Sequence, residues 1–313
     1  MRTPFISVNR RVRPQSEPRA RTQAGDNLRG AGLMVASMAA FIANDTAIKH
    51  VTQTLPLPQA ILVRGALVLI LLWFIAQRDG GIVWRPELRR DRRLLTVRTL
   101  GEVASTLLYL TALQHMALGS LSAIMQSLPL LVMLAAAVAF RERIGWRRLS
   151  AVAVGVAGVL LILRPGTAAF NLWSVVALGA VLMIVLRDIT TRSLGPEIRS
   201  STVAFHAALA VTASAFVMPS DVPWRLPTIP EVGWLGLAAL FLSGGYLTAV
   251  ATMRVGEVAF VSPFRYTSLI FAATLGYVFF DERPDGWTLI GATLIVLAGL
   301  YSIWRETRLR GGS

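Results

Sequence analysis

Ten stretches of roughly twenty mostly apolar residues follow one another along this chain, and they constrain its fold more than any other feature. They run 29–51, 58–77, 95–115, 119–140, 147–164, 171–191, 200–218, 231–253, 256–280 and 286–304, numbered here as spans 1 to 10. An α-helix rises 1.5 Å per residue, so about 20 residues cover the roughly 30 Å of hydrocarbon in a bilayer. Strands do not fit, because the runs are too long and their apolar residues do not alternate. In lipid a helix satisfies its own backbone hydrogen bonds. The expected fold class is therefore an all-α polytopic membrane protein with ten transmembrane helices. Composition agrees: 54% of residues are apolar and 15% charged, against about 25% charged in a soluble domain. The absence of cysteine excludes disulfides, thiolate metal sites and cysteine nucleophiles.

The net charge of +14 comes from 30 Arg and the single Lys49. Most arginines fall before span 1 and in alternate loops: 78–94, 141–148, the 192–199 turn, Arg254 and the tail after Trp304. The intervening loops hold only Arg164, Arg225 and Arg283. The positive-inside rule then puts both termini in the cytoplasm, as an even number of spans requires, with a bacterial inner membrane as the expected location. Residues 1–28 read as a cytoplasmic basic tail and 305–313 as a second one. The first does not read as a cleavable signal peptide, since no short apolar core followed by small residues precedes span 1. Nucleic acid is not an expected partner, because no basic groove is interleaved with aromatics.

The chain repeats itself. Tyr109, Leu110, Thr111, Ala112, Met116 and Gly119 each recur 137 residues later, as Tyr246, Leu247, Thr248, Ala249, Met253 and Gly256. Phe140-Arg141-Glu142-Arg143 returns as Phe280-Asp281-Glu282-Arg283, and Gly145-Trp146 as Gly286-Trp287. The copies pair spans 1–5 (29–164) with spans 6–10 (171–304). Each copy crosses an odd number of times, so the second must enter the membrane from the opposite face. Two inverted five-helix repeats are an architecture of secondary transporters that work by alternating access.

These features, with Ser127-Leu128-Pro129, Gly256-Glu257 and Ser262-Pro263-Phe264-Arg265-Tyr266-Thr267-Ser268-Leu269, resemble the EamA-type members of the drug/metabolite transporter superfamily over roughly residues 30–304. The match departs at Arg141, where the family often has Gly before the Glu. The resemblance implies a central cavity lined by spans 1–4 and 6–9. It also implies peripheral spans 5 and 10 with homodimer contacts, and transport of a small organic metabolite that is amino-acid-, riboflavin- or S-adenosylmethionine-like. A lipid-intermediate flippase or a passive facilitator would share the fold.

Ionisable groups inside hydrocarbon cost at least about 2.5–3.5 kcal/mol near the centre and usually face the interior or water. Arg265 lies roughly 14 Å into span 9 at 1.5 Å per residue. It either clamps an anionic or dipolar substrate or pairs with Glu102. Tyr266 adjoins it. Tyr109 and Tyr246 each offer an apolar ring with a hydroxyl, and Gln126 sits near Pro129. These five are the candidate substrate-binding residues. Asp45 and Arg64 stand in the outer third of spans 1 and 2, and Arg187, Asp188 and His206 at matching depths of spans 6 and 7. They read as outer and inner gates, or as titrating groups for proton coupling. Asp45 could equally pair with Lys49 or Arg64, and His206 could be a packing residue. Glu102 is a further gate or coupling candidate, and could equally form a self-compensated pair with Arg98, four residues before it on one helix face. The glycines of spans 5 and 10 read as close packing.

No cofactor is expected. There is no Gly-rich loop with Lys and Ser/Thr, so this chain by itself does not drive transport with ATP. No metal site is expected, because His50, His115 and His206 lack ligand spacing. No Ser/His/Asp set shares one depth, so an intramembrane enzyme is not expected. The expected partners are a small-molecule metabolite and membrane lipid.

Overall fold

The structure, a computed structural model, describes residues 18–78, 81–82, 84, 88–139, 146–165, 167, 171–195, 198, 200–220, 222–255 and 258–310. Residues 1–17, the Phe140–Gly145 motif and Gly256-Glu257 lie outside them. The described residues form helices and turns and no strand. Six helical segments are long and apolar enough to cross a membrane: Gly25–Val51, Leu57–Arg78, Leu118–Ala139, Leu172–Thr191, Ile229–Ala249 and Gly286–Trp304. Leu149–Leu163 and Thr202–Ser214 are shorter apolar helices. Span 3, the helix Arg89–His115, is too polar to join the six because Arg98, Glu102, Gln114 and His115 interrupt its apolar residues.

Two expected spans are broken. Span 4 is Leu118–Met125 followed by Leu128–Ala139. Span 9 is Val258–Val261, a 3₁₀ segment Ser262–Tyr266, then Thr267–Phe280. Each break has a proline just inside the following element, Pro129 and Pro263. A proline ring removes the N–H that would bond four residues back. Elsewhere the edges move little, except that the first helix starts at Pro18, the third at Arg89, the seventh ends at Ser214, and the last runs on to Arg310, into the expected tail.

The two halves interleave rather than stand side by side. Span 1 packs along spans 8 and 9, and span 3 along spans 6 and 7. Span 2 packs on spans 7 and 8, span 4 on spans 6, 9 and 10, and span 5 on span 10. The ends of spans 1, 3, 5 and 9 meet the starts of spans 4 and 10 at one end of the bundle, called here the far end; both tails leave from the other, the tail end. The largest buried apolar cluster fills the far half, around Ile48, Leu55, Ile61, Leu113, Leu118 and Ile124. Two smaller clusters among the described residues lie outside it, Met34, Met38 and Val261, and Leu130, Val152 and Ala298.

Close approach explains the glycines of spans 5 and 10. A Cβ on Gly158 would sit 2.7 Å from the Gly291 carbonyl oxygen, and one on Gly291 would sit 2.5 Å from that of Gly158. Small residues let such backbones touch. Gly158→Leu is expected to lower the melting temperature of the purified protein sharply. Gly236→Ala, with nothing within 4 Å of its Cβ position, should leave it within a degree or two. Equal effects would show that this crossing is not a tight contact.

Candidate functional site

Span 3 explains its own polarity. Arg98, Glu102, Ser105 and Tyr109 recur at intervals of four, three and four, so they share one helix face. That face meets polar groups of other spans at two levels, separated by about 10 Å along the helix.

At the far level, the Tyr109 hydroxyl donates to Asp45 Oδ2 at 2.6 Å. Asn44 Nδ2 donates to Asp45 Oδ1 at 2.9 Å, and Arg64 Nη1 donates to Asn44 Oδ1 at 3.2 Å. Bonds to a carboxylate are the stronger kind, so Asp45 ties spans 1 and 3 together. At the second level, Glu102 forms ion pairs with two arginines: Arg98 at 2.8 Å and Arg187, which donates to it, at 3.2 Å. Arg187 also holds Asp188 at 2.8 Å. Tyr246 lies between the levels, 52% exposed and edge-on to Phe41 at 5.4 Å. The charges of Glu102, Arg187, Arg98 and Arg64 all act on its hydroxyl.

The broken spans touch each other beside this column. Gln126, at the end of the first piece of span 4, donates to the Arg265 carbonyl at 3.2 Å and to Ser268 Oγ. Tyr266 is buried, its hydroxyl has no hydrogen-bond partner, and it stands against Gly299 of span 10. The Arg265 side chain is exposed.

Several expected pairings change. Lys49 does not pair with Asp45; it reaches Glu282 Oε1 and the Met116 carbonyl, each at 2.5 Å. Glu102 is not the partner of Arg265, because Arg98 and Arg187 already occupy it. Arg187 and Asp188 do form a pair, but His206 Nδ1 bonds the Thr202 carbonyl of its own helix at 2.9 Å and its ring lies near Trp84. The packing alternative fits that histidine.

One participant was not anticipated from sequence. Glu282 joins Lys49 on span 1 and accepts the Leu118 backbone N–H at 2.7 Å, at the N-terminus of span 4. A helix N-terminus favours negative charge. Asp281, at φ 51°, turns the chain left-handed at the end of span 9 and so delivers Glu282 to that point. Two more pairs brace the far end, Arg164–Asp285 and Arg225–Glu231. The repeat of Glu142 as Glu282 was the available signal, but nothing in it named a partner.

Comparison with known proteins bears on this site. The sequence profile of the EamA-like transporter family matches residues 28–164 and again residues 171–304. An S-adenosylmethionine uptake transporter of Rickettsia bellii is 29% identical over 58% of this chain and 62% of its own length. A riboflavin transporter of Vibrio cholerae is 27% identical over 59% of this chain, again 62% of its own length. The pseudopaline exporter CntI of Pseudomonas aeruginosa is 25% identical over 85% of this chain and 94% of its own. The matches to the first two thus span about three-fifths of those relatives. A solved crystal structure covers 90% of this chain and 99% of its own, with a TM-score of 0.60 and 18% identity, which speaks for the fold alone. With two matches of the family profile that together cover most of its length, this polytopic helical chain belongs to the EamA-like transporter family of the drug/metabolite transporter superfamily, a family of transporters and not of enzymes.

Proposed function

We propose that the chain is a secondary transporter that moves a small organic metabolite across the bacterial cytoplasmic membrane by alternating access. In this reading spans 1–5 and 6–10 are inverted repeats, residues 29–164 and 171–304, and both tails are cytoplasmic. The observation that carries it is the pairing of spans. Adding five to every span number turns the packing of 1 on 8 into 6 on 3, 1 on 9 into 6 on 4, and 2 on 8 into 7 on 3. The pairs 2–7, 4–9 and 5–10 map onto themselves. Interruptions at matching places of spans 4 and 9 agree, since broken spans in both halves point to a binding site.

The interleaving changes which bodies move. Spans 1, 2, 8 and 9 form one body and spans 3, 4, 6 and 7 its counterpart. The first contributes Asn44, Asp45, Arg64, Tyr246, Arg265 and Tyr266; the second contributes Tyr109, Glu102, Arg98, Arg187 and Gln126. Substrate then sits where the bodies face each other. Tyr109 and Tyr246 are its walls, Gln126 and Tyr266 line the broken spans, and the two ionic levels act as coupled gates. Lys49 and Glu282 close the far end by gripping residues 116–118 of the opposite body. In this reading the far end, where the largest apolar cluster also lies, is the closed end.

The relatives named above handle S-adenosylmethionine, riboflavin and pseudopaline, so a small metabolite is the expected cargo. Purified protein in liposomes should exchange at least one labelled compound of this class faster than empty liposomes, and Tyr109→Ala should slow exchange at least tenfold. Exchange indistinguishable from protein-free vesicles across amino acids, riboflavin and S-adenosylmethionine would overturn the reading.

A further inference from the structure

Arg64 is the unusual cation of the polar path. It is buried, at 6% exposure, and it forms no ion pair among the described residues. Other cations near the path do: Lys49 holds Glu282, while Arg98 and Arg187 share Glu102. Asp45 is close enough for its charge to act on Arg64, yet its hydrogen bonds go to Tyr109 and Asn44. Arg64 is left with one neutral acceptor, Asn44 Oδ1 at 3.2 Å, and its Nε has no partner.

A guanidinium offers five donors in a planar fork, and the edge that includes Nε matches the two oxygens of a carboxylate. Such a charge inside hydrocarbon is expensive unless it meets an anion or water. The fork stands on span 2, in the body opposite Tyr109, where substrate is placed above. Charge balance narrows the ligand. One arginine beside one aspartate sums to zero, so a dianion such as phosphate would be repelled by Asp45. A monoanionic carboxylate, above all one with a cationic neighbour, suits the pair.

We propose that Arg64 anchors the carboxylate of the transported metabolite, so the chain selects compounds that carry this carboxylate over the same compounds without it. This rests on reading the chain as a transporter, and its test is separable from that reading.

The test compares compounds that differ only by the carboxylate: S-adenosylmethionine against its decarboxylated form, L-methionine against 3-methylthiopropylamine, and L-phenylalanine against 2-phenylethylamine. Dissociation constants are measured on the purified full-length chain. In at least one pair the carboxylate should bind tenfold tighter or better. Arg64→Gln should bring that ratio within twofold of unity, and Arg64→Lys should keep part of it, since an ammonium supplies charge without the fork. A set in which no carboxylate outbinds its partner overturns the anchor, as does a preference that survives Arg64→Gln. If Arg64→Gln does not fold, the wild-type ratios and the Arg64→Lys ratio decide. Liposome exchange separates the two claims. Carboxylate preference without exchange keeps the anchor and removes the transport reading. Exchange without preference does the reverse.

Discussion

Glu102→Gln is expected to destabilise the bundle by about 3 kcal/mol, the low end of what breaking a buried ion pair costs. It should also cut exchange at least tenfold. Glu102 is the single acceptor that holds Arg98 at 2.8 Å and Arg187 at 3.2 Å. Its side chain is 12% exposed, as is that of Arg98. Removing the negative charge leaves two guanidiniums facing each other with Asp188 as the remaining nearby carboxylate. Thermal unfolding followed by size-exclusion chromatography measures the loss. Because the damage comes from an unpaired charge, Glu102→Gln combined with Arg187→Gln should be less harmful than the sum of the two. Additive effects would mean that Glu102 and Arg187 do not work as a unit.

Glu282→Gln is expected to open the far end. The change weakens the bond to Lys49 and the hold on the Leu118 N–H together. Without them the apolar contacts around Leu118 and Ile124 are what still join the two bodies at this end. A chain without native cysteine needs no background removal for a labelling experiment. Ser105→Cys places one thiol on the polar face of span 3, at a position 2% exposed. A membrane-impermeant maleimide added from the outside should label it at least tenfold faster when Glu282→Gln is also present. Unchanged labelling would place the closure elsewhere.

Sequence alone made the position of each polar group along its helix legible but not its direction. Helix edges followed from length and apolar content, so spans such as Leu57–Arg78 and Leu172–Arg192 moved by a residue at most from 58–77 and 171–191. Pro129 and Pro263 were visible, but whether a proline kinks or interrupts depends on what replaces the lost bond. Gln126 and Ser268, 142 residues apart, settle that only after folding. Pairings failed for a related reason. Asp45 and Lys49 share a helix face by spacing, yet Lys49 finds Glu282 from 233 residues away. Arg98 and Glu102 were legible because the pair is local. Arg265 falls in a 3₁₀ segment with its side chain exposed, and a helical count describes neither.

Paired spin labels test the central claim most directly, because they need no knowledge of the cargo. One pair spans the far end, Gln53→Cys with Leu172→Cys. The other spans the tail end, Arg29→Cys with Arg93→Cys. All four positions are exposed, and each pair joins the two bodies assigned above. Two nearly equivalent states sharing one buried path require the distances to move oppositely. Adding Glu282→Gln should lengthen the far-end distance and shorten the tail-end one, with two populations exchanging weight. A far end that opens while the tail end stays fixed, or both ends opening together, would contradict alternating access by inverted halves.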